Sequence, residues 1–90
     1  MSRALADCES EAQACRWSFE LGDTGSRSLF KDLAESIGAC STLTSKLHDT
    51  GVNHPDFYDA WVFDFPTGSL SVSLKDKSAL GQTFVVLRRL

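Results

Sequence analysis

The residues best suited to chemistry lie in one short stretch, where His48, Asp49, His54, Asp56 and Asp59 crowd together beside Phe57, Tyr58 and Trp61. Two imidazoles with carboxylates can ligate a divalent ion, and His48, His54 and Asp56 are the set to consider. The spacing works against it. The interval between His48 and His54 contains Gly51, so no single helix face presents both rings one turn apart, and the thiols that structural sites favour lie elsewhere. Histidines beside turn-forming aspartates account for the same composition. A small enzyme, or a metal or ligand site built on the 47–59 loop, stands as an alternative; the expectation is no metal and no cofactor. Cys40 raises a second question, because a thiol becomes nucleophilic when a helix N-terminus or a cation lowers its pKa. A helix over 41–48 would put Cys40 at such an end, with His48 or His54 as base. A small inert side chain is the simpler expectation, and no residue is assigned as catalytic.

Asp-Thr-Gly occurs twice, at 23–25 and 49–51, and with Ser26 the first copy resembles the active-site signature of aspartic proteases. Those enzymes need two carboxylates sharing one proton. In that family the motif follows an apolar run, whereas here Glu20 and Gly22 precede it and an amphipathic segment follows. Turn and helix-cap chemistry explains the same four residues and is the reading kept.

These residues need elements to position them, and the chain of 90 residues is long enough for one domain, 1–90. Ala4, Leu5, Cys8, Ala12 and Cys15 fall at helical spacing behind Ser2, predicting a peripheral N-terminal helix within 1–15. Trp17, Phe19 and Leu21 then alternate with polar residues as a half-buried strand. Leu29, Phe30, Leu33, Ala34 and Ile37 return to the helical period over 28–37, with Ser26 or Ser28 as cap and Gly38 as stop. Leu43 and Leu47 favour a short helix over 41–48, although Leu43, Ser45 and Leu47 also alternate. Trp61, Phe63 and Phe65, a Pro66-Thr67-Gly68 turn, and Leu70, Val72 and Leu74 make a hairpin. Residues 83–87 make a last strand with Phe84 and Val86 turned to the core. The predicted fold is α+β: a two-layer sandwich with about four mainly antiparallel strands, in the order α-β-α-(α)-β-β-β, and helices on one face.

On this plan the sheet face away from the helices is a platform for a partner, with Glu20, Val62, Asp64, Ser71, Ser73, Val85 and Leu87 as its contact residues. The serine-rich strand 69–73 is also weakly guarded against pairing with another chain. Net charge is −3, with ten acids against five bases in 1–59 and two against four in 60–90. No basic stripe exists for phosphate backbone, so nucleic acid is not an expected partner. The longest apolar runs, 60–63 and 84–87, are far too short to span a membrane. Three cysteines without a Cys-x-x-Cys pair, and an N-terminus without an apolar core, suit free thiols in the cytoplasm. The expected function is a small non-enzymatic protein-interaction module that binds or occludes a protein partner, a second copy of itself included. A small acidic inhibitor, or an immunity or anti-defence protein, is the other alternative.

Overall fold

In the computed structural model, which describes residues 6–49 and 57–90, the strands join in one antiparallel sheet of six with a single α-helix across it. The strands are β1 (Asp7–Glu9), β2 (Ala14–Glu20), β3 (Ser45–Asp49), β4 (Tyr58–Phe65), β5 (Gly68–Lys77) and β6 (Gln82–Arg89), and the helix is α1 (Thr24–Gly38). Their spatial order is β1-β2-β6-β5-β4-β3. The expected sandwich of about four strands with several helices is therefore corrected to six strands and one α-helix.

Two stretches expected as helix are strand. Cys8 and Cys15 oppose each other directly across the β1–β2 hairpin and are joined by a disulfide. Gln13 sits at φ 50° in the turn, where its N–H donates to the Ser10 carbonyl at 3.3 Å. The disulfide also corrects the expectation of free thiols throughout, leaving Cys40 free and exposed. The 41–48 helix is replaced by β3, whose entry is fixed when the Thr44 N–H and hydroxyl both donate to the Asp64 carbonyl at 2.8 Å.

α1 starts earlier than its apolar stripe, because Asp23 is the N-cap. Its carboxylate accepts from the Gly25 N–H at 2.8 Å, and the Ser26 hydroxyl donates to the Asp23 carbonyl at 2.6 Å. Gly38 is the last helical residue rather than a left-handed stop, and Ala39 closes the helix in a right-handed conformation. The β4–β5 turn does need its glycine: Gly68 sits at φ 145°, which side chains rarely adopt.

β6 lies between β2 and β5, and its register decides which side chains meet the helix. Val85 stands opposite both Trp17 and Leu74, and Leu87 opposite Cys15 and Val72. Directly paired residues share a sheet face. Val85 and Leu87 thus face α1, while Phe84 and Val86 face away, the reverse of expectation. Phe84 is nevertheless buried, with the Arg16 guanidinium 5.0 Å above its ring. Leu29 and Phe30 of α1 close on Phe63, Val72, Leu74 and Val85, and Trp17, Phe19, Leu33, Ile37 and Trp61 pack around them. At the start of α1, the buried Thr83 hydroxyl accepts from the Gly22 N–H at 3.1 Å and donates to Asp76 at 2.8 Å. One side chain therefore ties the β2–α1 turn to β5 and β6. No helix among the described residues is long and apolar enough to cross a membrane.

Phe63 is 1% exposed, so Phe63→Ala should cost about 3–5 kcal/mol in urea unfolding, whereas Val62→Ala on the other face should cost about 1 kcal/mol or less. Reducing the Cys8–Cys15 disulfide should speed amide exchange over Asp7–Arg16 and leave β5 protected; equal deprotection of β5 would contradict a locally acting clamp.

Candidate functional site

A helix of 15 residues is about 22 Å long and 10 Å wide, while six strands span about 24 Å across the sheet. α1 packs foremost on β5 and β6 and reaches β2 and β4. Lys46 and His48, on the helix side of β3, remain exposed beyond it. Between α1 and the β3–β4 edge runs a groove of about 470 Å³. Trp61 and Phe63 form its floor, and Phe30, Ala34, Gly38 and Ala39 form the helix wall. A methyl group added at Gly38 would lie 3.6 Å from the Phe63 ring, so the missing side chain keeps this end of the groove wide.

The charged groups at the rim differ in how they are engaged. Lys31 pairs with Glu35 at 3.9 Å along the helix. The His48 ring stacks on Trp61 with centroids 4.3 Å apart and 13° between planes, and its Nε2 is bonded to Asp59 Oδ1. Lys46 has no carboxylate partner among the described residues, and its Nζ sits 5.5 Å from the Trp61 ring centroid. The site thus offers an aromatic floor, the backbone of an edge strand, and an ammonium that packs on the Trp61 ring without a carboxylate partner among the described residues. β3 pairs with β4 on one side alone among the described residues, and Leu47, on its opposite face, is 64% exposed.

The expected partner residues divide between the two sheet faces. Glu20, Val62, Asp64, Ser71 and Ser73 share the face away from α1, with Val62 opposite Ser71 and Asp64 opposite Ser69. Val85 is 0% exposed and Leu87 packs against the core, so the apolar patch assigned to them on the open face is corrected. The 69–73 serines lie in β5, an interior strand between β4 and β6; the edges are β1 and β3.

Asp64 is structural in its contacts. It accepts from the Ser45 hydroxyl at 2.7 Å and the Ser69 hydroxyl at 2.6 Å, joining β3, β4 and β5, and these bonds hold its pKa below the ordinary value. Burial, then the charges of Asp49 and Asp59, push the Tyr58 hydroxyl pKa up. Asp23 of the first Asp-Thr-Gly is the helix cap, and Asp49 of the second ends β3. Thr50, Gly51, His54 and Asp56 lie outside the described residues. Among those described, no group of three or more His, Cys, Asp or Glu side chains is placed to hold a metal. Cys40 is followed by β3 rather than by an α-helix, and its thiol donates to the Ser36 carbonyl at 3.7 Å.

Reading the sequence as a 41–48 helix hides Lys46 as a groove residue. Its signal is the rival two-residue period, in which Ser45 and Leu47 take one face and Lys46 and His48 the other. Compared with family models, curated proteins and solved structures, the chain has no match.

A carboxyl whose folded pKa lies below its unfolded value adds stability above the unfolded value and loses it as pH falls through the folded one. Asp64 should therefore contribute fully above the ordinary value of 3.8 and progressively less in stronger acid. Asp64→Asn should flatten the acid limb of a stability-against-pH curve; an unchanged limb would remove Asp64 from the account.

Proposed function

We propose that this protein is a small protein-binding module that takes up an extended segment of its partner along β3 and seats an apolar side chain of that segment in the adjoining groove. The observation that carries the reading is the adjacency of β3, whose outer side pairs with no other strand among the described residues, to a groove lined by Trp61 and Phe63. Backbone pairing at a sheet edge supplies affinity, and a side-chain pocket beside it supplies selectivity. The stacking of Phe63, Trp61 and His48 supports this role, because ring contacts among them favour one arrangement of the groove floor before a ligand arrives.

The test is selection of extended peptides on the purified protein, followed by mapping on ¹⁵N-labelled chain. Binders should shift the amides of Ser45–Asp49 and the Trp61 indole. Ala34→Arg, which fills the groove, should weaken them at least about tenfold, while Val62→Arg on the other face should leave them unchanged. The opposite pattern would move the contact surface to the open face and overturn the groove as the site.

A further inference from the structure

The groove and the edge strand together limit what the bound segment can be. An added strand presents alternate side chains to the helix side of the sheet. Two of its residues therefore meet the site there, one opposite Lys46 and one opposite His48. The position opposite Lys46 continues the row formed by Lys46 and Phe63, which line the groove, and suits an apolar side chain. The position opposite His48 continues the row of His48 and Trp61, and the Lys46 ammonium leans into that row above the indole. Of the rim lysines, Lys31 is matched by Glu35, while Lys46 has no carboxylate partner among the described residues; Asp59 is engaged by a hydrogen bond with the His48 ring. The site is thus complementary to an anion beside an apolar anchor.

In an antiparallel addition, which continues the hydrogen-bond pattern of this sheet, the residue opposite His48 comes two positions before the one opposite Lys46. We infer that the occupant is an extended protein segment of the pattern acidic-x-apolar, its carboxylate on Lys46 and its apolar side chain in the groove. The inference rests on the edge-and-groove reading above and adds the chemistry and direction of the partner segment. An acidic side chain beside a lysine is attracted through partly exposed solvent, so its contribution is modest and falls with salt.

Three blocked hexapeptides test it on the intact chain: Thr-Asp-Val-Phe-Val-Thr, its Lys counterpart Thr-Lys-Val-Phe-Val-Thr, and the reversed order Thr-Phe-Val-Asp-Val-Thr. Binding is read by ¹⁵N shifts in low salt and in 0.5 M NaCl. The Asp-x-Phe peptide should bind about fivefold more tightly than either other peptide. High salt should narrow that preference, and Lys46→Glu should transfer it to the Lys-x-Phe peptide. Equal binding of all three with shifts on β3 overturns the acidic-x-apolar pattern and leaves the edge-and-groove reading standing. Tighter binding of the reversed peptide overturns the antiparallel register. Absence of shifts on β3 with every peptide overturns the pattern and the reading beneath it together.

Discussion

A single helix has to shield a sheet wider than itself, and most of what distinguishes this molecule follows from that mismatch. Leu29 and Phe30 can be driven against Phe63, Val72, Leu74 and Val85 because those four residues come from the three strands β4, β5 and β6. The gain from burial concentrates there, at about 25 cal/mol per Å² removed from water. Strands farther out receive less cover. On the β3 side, Trp61 is half-buried and completes its environment with rings and a lysine rather than with the helix. The groove is therefore a direct result of covering the centre of the sheet well and its margin poorly.

The two margins are treated differently. β1 has three residues, carries Asp7 and Glu9, and is stapled to β2 by a disulfide, with Arg16 3.9 Å from the Asp7 carboxylate. Short length, charge and a covalent tie are ways in which sheets avoid pairing with strangers. β3 has five exposed residues, and its lysine is folded over Trp61 instead of standing along the edge as a deterrent. Of the two edges, β3 is the less guarded and borders the apolar groove, whereas β1 is clamped.

How much of this was legible depended on whether one physical signal was free of a rival. The β4–β5 hairpin was legible because Trp61, Phe63 and Phe65, and then Leu70, Val72 and Leu74, alternate around a proline–glycine turn. α1 was legible because Leu29, Phe30, Leu33 and Ile37 repeat at a helical period, although Asp23 rather than a serine caps it. The β1–β2 hairpin was hidden by a coincidence of spacing. Cys8 and Cys15 are seven residues apart, which is two turns of a helix and also the span of a hairpin with a four-residue turn, and Ser10-Glu11-Ala12-Gln13 contains no glycine or proline to break the tie. β6 reads as a strand, but its facing is not legible, since Phe84, Val85, Val86 and Leu87 are apolar on both sides. Its facing is set by partners distant in sequence, Trp17 and Leu74, which no local pattern contains. The site suffered for the same reason: Lys46 meets Trp61 only after β3 has paired with β4.

The central place of β6 has a kinetic corollary. β3, β4, β5 and β6 follow one another as an antiparallel meander, whereas the β1–β2 hairpin joins it only by closing a loop from Trp17 to Val85. Loop-closure entropy opposes such distant pairing until many contacts form at once. Local pairing suffices for the meander, whereas joining β2 to its last strand carries the larger loop-closure cost. A lesion in β6 would slow assembly as well as weaken the product, because it touches the seam where the meander meets the β1–β2 hairpin.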